Sequence, residues 1–119
     1  GVALDILEAV NSTTTKRIVV SIQNNGTLDF LRPDDVIEIS CDLSRDGLKP
    51  VTPVKVPTAQ KNMIACVKEY ERLAVAAILQ QDKSLAVRAL MAHPLIGSYS
   101  LAKTLVEAYL DDEQFAAWR

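Results

Sequence analysis

The fold is decided by the segment Val36-Ile37-Glu38-Ile39-Ser40-Cys41-Asp42-Leu43, in which apolar and polar side chains alternate. The apolar residues occupy the odd-numbered positions from 37 to 43, and polar residues stand between them. Because successive side chains of a β-strand point to opposite faces of its sheet, the alternation predicts a half-buried strand over Val36–Leu43. A sheet with one covered face is therefore the centre of the expected fold.

Two further extended segments flank this strand. Arg17–Ile22 is rich in β-branched residues and stops at Asn24-Asn25-Gly26, where Asn and Gly tolerate a positive φ. On the other side, Arg45-Asp46-Gly47 predicts a turn into a third extended segment, Lys49–Val56. Because prolines inside this segment remove donors from the hydrogen-bond ladder, we expect the third strand to be irregular or to lie at the sheet edge.

Helical periodicity occurs at the start of the chain and throughout its second half. Val2–Val10 has the spacing of an amphipathic helix but begins without a cap. From Thr58 onward, apolar residues recur at three- or four-residue steps, and Thr58 itself is a candidate N-cap. The elements predicted in this part are Thr58–Gln81, Ser84–Ala92 closed by Pro94, Ser98–Leu110, and a last turn with Phe115 and Trp118 capped by Asp111.

This order of elements predicts an α+β fold with an N-terminal helix, a small, mainly antiparallel sheet of about three strands, and a C-terminal helical layer. We expect a single domain over residues 1–119, with helix and sheet in residues 1–57 and the helical part in residues 58–119. The helices share an apolar stripe from Met63 through Leu90 to Leu105. We expect this stripe to form core, with an oligomer surface as the alternative.

Charge and composition argue against several classes of protein. The chain has 13 basic and 15 acidic residues, a net charge of -2, and neither sign is gathered into a run, which argues against a nucleic-acid partner. The apolar runs are too short to cross a bilayer, which argues against a membrane partner. We expect the protein to be cytoplasmic, because no export signal is present, and Cys41 and Cys66 to be reduced core thiols.

The sequence predicts no catalytic, cofactor-binding or metal-binding residue in this chain. The four glycines stand singly, so no Gly-rich nucleotide loop is formed, and neither cysteine has a second Cys or His at a metal-like spacing. His93, the only histidine, precedes Pro94 at a helix end, where we expect it to meet terminal carbonyls. The close carboxylates are interpreted as turn or capping residues. They are Asp34 with Asp35, Asp42 with Asp46, and Asp111 with Asp112 and Glu113.

The turn Asn24-Asn25-Gly26 is the one segment that we connect with a ligand. Its amides could hydrogen-bond a polyhydroxylated molecule if a larger site lay beside it.

Short motifs follow one another in a recognisable order along nearly the whole chain. In order they are Val20-Ser21-Ile22-Gln23-Asn24-Asn25-Gly26, Leu31-Arg32-Pro33-Asp34-Asp35-Val36-Ile37-Glu38-Ile39-Ser40-Cys41, Gly47, Pro50, Tyr70-Glu71-Arg72, Ala86-Val87-Arg88-Ala89-Leu90-Met91-Ala92-His93-Pro94-Leu95-Ile96 and Ala102-Lys103. Each motif is short, but their order and spacing resemble the C-terminal region of family 4 glycoside hydrolases. The likeness is greatest to the 6-phospho-β-glucosidase branch.

The resemblance implies that the chain is the C-terminal fragment of a larger O-glycosyl hydrolase that uses NAD and a divalent metal, usually manganese. In this family the sugar is oxidised at C3, which acidifies the C2 proton and permits elimination of the aglycone. Water then adds and the ketone is reduced, which makes the family an exception to the two-carboxylate rule for glycosidases. The implied substrate is a phosphorylated disaccharide or glycoside. Asn25 and Gly26 correspond to a recurrent turn of the family, and the resemblance implies that they are the candidate residues on the substrate side.

The resemblance also implies that the catalytic machinery lies outside this chain. The family's Gly-rich NAD loop, its metal-binding Cys and His, and its proton-abstracting Tyr or Asp all precede Val2. Cys41 and His93 fall in other motifs and are not that metal pair. The fragment alone is therefore expected to be inactive.

For the helices after Thr58, the resemblance implies subunit contacts like those of the lactate and malate dehydrogenase C-terminal domains, and so a homo-oligomer. The alternative hypothesis is a stand-alone α+β interaction or dimerisation module without enzymatic activity. A Gly-rich βαβ unit and a Cys and His pair encoded upstream of Val2 would favour the enzyme.

Overall fold

The computed structural model describes residues 1–52 and 55–119 of the chain. It divides into two compact units, Gly1–Val56 and Pro57–Arg119, and each is described by itself. The expected order of helix, sheet and helices is confirmed.

The first unit is a three-stranded antiparallel sheet with one helix. Helix α1 (Val2–Asn11) is followed by β1 (Lys16–Gln23), β2 (Val36–Ser44) and β3 (Gly47–Pro50). The strands lie in the order β1-β2-β3, so the predicted central strand is confirmed at the centre of the sheet. Helix α1 packs on β1 and β2.

The register of β1 against β2 places apolar residues opposite each other on the covered face. Ile18 pairs with Cys41, and Val20 pairs with Ile39. Cys41 is fully buried, as predicted, and so is Ala9 of α1. Burial in both strands follows the alternation read from the sequence, because the sheet is covered on one face only.

The third strand is shorter than predicted. It ends at Pro50, because a proline has no N–H to donate and cannot continue the ladder. One further backbone bond follows, in which the amide of Val51 donates to Ser40 O over 2.8 Å. The rest of the predicted segment 49–56 is not a strand in the residues described, and Pro53 and Val54 lie outside them. The predicted edge position is confirmed.

The second unit is helical. It contains α2 (Thr58–Gln80), α3 (Lys83–Ala92), α4 (Tyr99–Tyr109) and a short 3-10 helix (Glu113–Phe115). Helix α3 packs against both α2 and α4. Three residues of the contact are almost completely buried, namely Ala77, Ala89 and Ala102. Small side chains therefore let the helices approach closely.

The predicted helix boundaries are correct to within one or two residues, but two of the predicted caps are wrong. Thr58 is the first helical residue rather than the N-cap, and Pro57 holds the cap position without a side-chain bond. At the last turn, Asp112 accepts from the amide of Gln114 over 3.0 Å, in the place predicted for Asp111. Each error is one position. At the last turn, Asp111 and Asp112 are equally good capping residues, so the sequence did not distinguish them.

Candidate functional site

The candidate site is the connection between β1 and β2, which we call the 24–35 loop. Two backbone hydrogen bonds close its base. The amide of Asn24 donates to Asp35 O over 2.7 Å, and the amide of Asn25 donates to Pro33 O over 2.9 Å. The loop also has its own apolar anchor, because Leu31 is only 9% exposed. The loop is therefore closed at its base and packed through its own side chains.

The side chain of Asn24 organises the interior of this loop. It is completely buried. Its Oδ1 accepts from the amide of Leu28 over 2.8 Å, while its Nδ2 donates to Leu28 O over 2.9 Å and to Arg32 O over 3.0 Å. A carboxamide has both donors and acceptors, so this one group satisfies three backbone groups that no strand or helix can reach.

Asp35 closes the other end of the loop. Its Oδ2 accepts from the amide of Arg32 over 2.9 Å, and the residue is only 8% exposed. The prediction that this carboxylate serves a turn is confirmed, but it is buried rather than solvated. Asn24 and Asp35 are the two residues of the loop whose importance was missed. The pattern Asn-Asn-Gly indicated a turn without indicating which Asn points inward.

Asn25 and Gly26, the predicted substrate-side residues, lie together at the exposed end of the loop. Both have a positive φ, 45° for Asn25 and 86° for Gly26. A Cβ added at Gly26 would have nothing within 4 Å, so glycine is favoured there by its backbone conformation and not by lack of space. Among the described residues, nothing hydrogen-bonds the Asn25 side-chain amide. It can therefore donate to and accept from a hydroxylated molecule.

The two cysteines differ in their surroundings. Cys41 is buried in the sheet with its Sγ 3.8 Å from Ile39 O, whereas Cys66 is exposed. The prediction of a core thiol is thus wrong for Cys66. The helical period of α2 does not by itself distinguish Cys66 from Val67, and Val67 is the less exposed of the two.

His93 has a different role from the one predicted. Instead of donating to terminal carbonyls, its Nδ1 accepts from the amide of Leu95 over 3.2 Å. Its ring meets that of Tyr70 edge-on, with 4.8 Å between the centroids and 88° between the planes. The histidine therefore closes α3 by binding the chain that follows the helix.

Asp42 and Asp82 are two carboxylates held by structural partners. Asp42 accepts two bonds from Arg17, at 2.8 and 3.0 Å. These bonds hold the pKa of Asp42 below its ordinary value. Desolvation opposes the shift, and the positive charge of Arg17 contributes a lesser lowering. The pKa of Asp82 is lowered first by the hydroxyl of Ser84 at 2.6 Å and then by the amide of Leu85 at 3.1 Å. Asp82 thus caps α3 as an ionised group.

Four charged residues of α2 are paired within the helix. Lys68 lies 2.7 Å from Glu71, and Arg72 lies 3.2 Å from Glu69. Both pairs have the i,i+3 spacing that brings side chains together on a helix. Such pairs stabilise a helix and do not form a catalytic dyad.

A cavity is found among the described residues of each unit. In the first unit, a polar cleft of about 770 Å³ lies between the segment after α1 and the β2–β3 turn. In the second, an apolar cavity of about 380 Å³ lies among the helices and includes Leu90 and Leu105 of the predicted apolar stripe. Met63, at the start of that stripe, is 62% exposed, so the prediction of core is wrong for this residue.

The described residues do not fit the NAD and metal that the resemblance implies for the whole protein. In residues 1–52 and 55–119, no group of three or more His, Cys, Asp and Glu side chains is placed to hold a metal ion. The Nδ1 of His93 is already bonded, and Cys41 is buried in the sheet. No step of a reaction is assigned to these groups.

No helix in the same residues is long and apolar enough to cross a membrane.

The architecture is that of the C-terminal region of phosphoglucosidases. A solved 6-phospho-β-glucosidase of Thermotoga maritima, with manganese, NAD+ and glucose-6-phosphate, matches 95% of this chain and 28% of its own, with 31% identity and a TM-score of 0.77. Residues 2–96 match the sequence model described as the family 4 glycosyl hydrolase C-terminal domain. The chain therefore belongs to the family 4 glycosyl hydrolases and is a C-terminal domain of that family.

Curated relatives include both anomeric types. A 6-phospho-β-glucosidase of Thermotoga maritima is 32% identical over 109 residues, which are 92% of this chain and 26% of the relative. A phospho-α-glucosidase of Clostridium acetobutylicum is 23% identical over 108 residues, 91% of this chain and 24% of the relative. The chain thus spans about a quarter of the length of the relatives that it matches.

Proposed function

We propose that the whole protein is a cytoplasmic O-glycosyl hydrolase that cleaves phosphorylated disaccharides or glycosides. The observation that carries the proposal is the 32% identity to the Thermotoga maritima 6-phospho-β-glucosidase over 92% of this chain. The identity to the phospho-α-glucosidase is lower, at 23% over a similar length, which favours a β-linked substrate. In this proposal residues 1–119 are a single C-terminal domain of that enzyme.

The proposed reaction is the NAD-dependent sequence of oxidation, elimination, hydration and reduction, with manganese as the metal. The solved relative that contains manganese, NAD+ and glucose-6-phosphate supports both groups. In this proposal the region supplies scaffold and no reacting group. Asp35, Asp42 and Asp82 are each held by a structural partner. The region by itself should therefore show no turnover.

Within this proposal the 24–35 loop contributes to the substrate side. Asn25 presents an amide that no described residue engages, and Gly26 keeps its backbone open to approach. Asn24 and Asp35 fix the loop from within, so the exposed end is already ordered before a ligand binds. A preordered donor loses less conformational freedom on binding, which favours recognition of sugar hydroxyls.

We also propose that the whole protein is a homo-oligomer. Several large apolar side chains on the helices of the second unit are exposed, including Ile78 at 63% and Tyr109 at 76%. Exposed apolar groups that cluster on one set of helices are typical of subunit contacts. Sedimentation of the full-length protein at several concentrations tests this point.

The activity is tested on the full-length protein with 4-nitrophenyl 6-phospho-β-glucoside. Hydrolysis should require both NAD and manganese, and the unphosphorylated glucoside should be a poor substrate. The α-anomer serves as the matched control for the β assignment. Cleavage without NAD would contradict the proposed reaction, and preferential cleavage of the α-anomer would contradict only the anomer.

The contribution of the loop is tested separately with Asn25→Ala in the same protein. We expect KM to rise by about tenfold, which corresponds to the loss of one or two hydrogen bonds, with a smaller change in kcat. Asn62→Ala, at an exposed position of α2, is the matched control. An unchanged KM for Asn25→Ala would remove the loop from the substrate side and leave the glycosidase assignment intact.

A further inference from the structure

Asn25 and Gly26 are the two central residues of a tight turn at the exposed end of the 24–35 loop. The amide of Thr27 donates to Asn24 O over 2.9 Å and closes this turn. The φ angles of 45° at Asn25 and 86° at Gly26 fit a type I′ turn, in which both central residues have a positive φ. One backbone bond therefore closes the turn around them.

The groups that react in asparagine deamidation are accessible in this turn. Asn25 and Gly26 are both exposed. In residues 1–52 and 55–119, no acceptor binds the Gly26 amide and no partner engages the Asn25 side chain. A Cβ added at Gly26 would meet nothing within 4 Å beyond its two chain neighbours, so the space around this residue is open. The peptide nitrogen of Gly26 can therefore approach the side chain that precedes it.

We propose that Asn25 is a site of spontaneous deamidation, with water as the co-reactant. The Gly26 peptide nitrogen attacks Cγ of Asn25, so that a nitrogen–carbon bond forms and the Cγ–Nδ2 bond breaks. The proton of the peptide nitrogen leaves with Nδ2 as ammonia, and a five-membered succinimide remains. Water then opens the ring by adding OH to a carbonyl carbon and H to the nitrogen. The product is an aspartate or isoaspartate at position 25, and nothing is oxidised or reduced.

The turn opposes this reaction only weakly. The attack requires the peptide plane between Asn25 and Gly26 to rotate, and this rotation breaks the bond from Thr27 to Asn24. A single bond in an exposed turn contributes little to stability, so we expect a rate within about tenfold of that in a free peptide.

Asn24 is an internal control of the same residue type. Its side chain is completely buried, and its bonds to Leu28 and Arg32 would all be lost in the reaction. The attacking group would be the amide of Asn25, which already donates to Pro33 O over 2.9 Å. Asn24 should therefore stay intact while Asn25 converts.

The conversion has a consequence for substrate binding, and this part of the inference rests on the proposed function. Position 25 loses its amide donor and gains a carboxylate on the proposed substrate side. A phosphorylated substrate is itself anionic, so the new charge repels it. We expect KM to rise by more than in Asn25→Ala, which loses the donor without gaining a charge.

The test is mass spectrometry of proteolytic peptides from the full-length protein during incubation at neutral pH. A synthetic peptide of residues 20–31 gives the rate for the unfolded chain. Asn25 should convert within about tenfold of the peptide rate while Asn24 remains intact. Conversion of Asn25 that is no faster than that of Asn24, or that is more than about a hundredfold slower than in the peptide, would overturn the proposal.

Asn25→Gln tests the chemistry at the same position. Its side chain is one methylene longer, so the Gly26 nitrogen would have to close a six-membered ring, which forms much more slowly. Anion-exchange chromatography should therefore separate a more acidic form from the aged natural sequence but not from this variant. An acidic form that accumulates equally fast in both proteins would overturn the assignment to Asn25.

The mass measurement does not depend on activity, so the two proposals can fail separately. A protein that converts at Asn25 but cleaves no phosphoglycoside would contradict the proposed function alone. An active enzyme in which Asn25 stays intact would contradict this inference alone. Equal KM values for the separated forms of an active enzyme would overturn the effect on substrate binding.

Discussion

The two connections of the sheet, the 24–35 loop and the β2–β3 turn, both reverse the chain between neighbouring antiparallel strands, but they differ in length and in internal hydrogen bonding. The β2–β3 turn reverses the chain within a few residues, and the positive φ of 111° at Gly47 makes this possible. The 24–35 loop uses a much longer segment for the same reversal and fills it with its own hydrogen bonds. Because a chain reversal alone needs only a tight turn, the extra length and hydrogen bonds of the 24–35 loop indicate that this loop holds a defined shape.

The largest effect on this comparison should come from Asn24→Ala. The substitution leaves the amide and carbonyl of Leu28 and the carbonyl of Arg32 without their partner. We expect the free energy of opening of the loop amides to fall by about 2–3 kcal/mol, because buried polar groups without partners are strongly destabilising. Hydrogen exchange on the full-length protein measures it, with the β2–β3 turn as internal reference. Equal protection of the loop in both proteins would show that Asn24 does not organise it.

A smaller effect is expected at the other end of the loop from Asp35→Ala. The bond that its Oδ2 accepts from the amide of Arg32 is lost. The remaining bonds of Asn24 still hold the loop, so the opening free energy should fall by only about 1–2 kcal/mol. The same exchange experiment checks this order. A larger effect for Asp35→Ala than for Asn24→Ala would reverse the ranking of the two residues.

On the other side of the comparison, Gly47→Ala should destabilise the tight turn through its backbone alone. Nothing lies within 4 Å of a Cβ added there, so no side-chain clash contributes. The positive φ should still raise the free energy of the folded turn by about 1–2 kcal/mol. Exchange rates in β3 should increase while those of the 24–35 loop stay constant. Changes of equal size in both connections would mean that they are coupled.

The smallest effect concerns the ion pair that links β1 to β2 on the exposed face. Because the pKa of Asp42 is lower in the folded state, its stabilisation is present above the ordinary carboxyl pKa of about 3.9 and is lost as the pH falls through the folded value. Asp42→Asn should therefore lower Tm slightly at neutral pH and make no difference in strong acid. Thermal melts of both proteins across this range provide the measurement. A difference that persists in strong acid would indicate another cause.

Most of the fold could be predicted because local patterns and tertiary packing agree. The alternation over 36–43 is a direct consequence of a sheet covered on one face, so it identified the central strand. The prediction failed where neighbouring residues were equivalent by local criteria. Cys66 and Val67 fit the helical period equally well, and only the packing of the helical unit decides between them.

The sequence predicted where the candidate site lies but not the hydrogen bonds that hold its loop in shape. The turn at Asn25 and Gly26 could be predicted from their tolerance of a positive φ, which is a local property of each residue. The role of Asn24 depends on carbonyl groups up to eight residues away, which come within reach only after the loop has closed. Sequence patterns describe local preferences, so hydrogen bonds of this kind remain hidden until the structure is known.

The closed 24–35 loop has a consequence for the order of folding events. Strands β1 and β2 can pair only after the intervening segment has lost the entropy of loop closure, and this loss precedes most of the ladder bonds that compensate for it. The bonds of Asn24 to Leu28 join residues only four positions apart, so they can form early in folding and offset part of the entropy lost on loop closure. Substitutions at Asn24 should therefore slow folding more than they accelerate unfolding, whereas those at Gly47 should act mainly on unfolding.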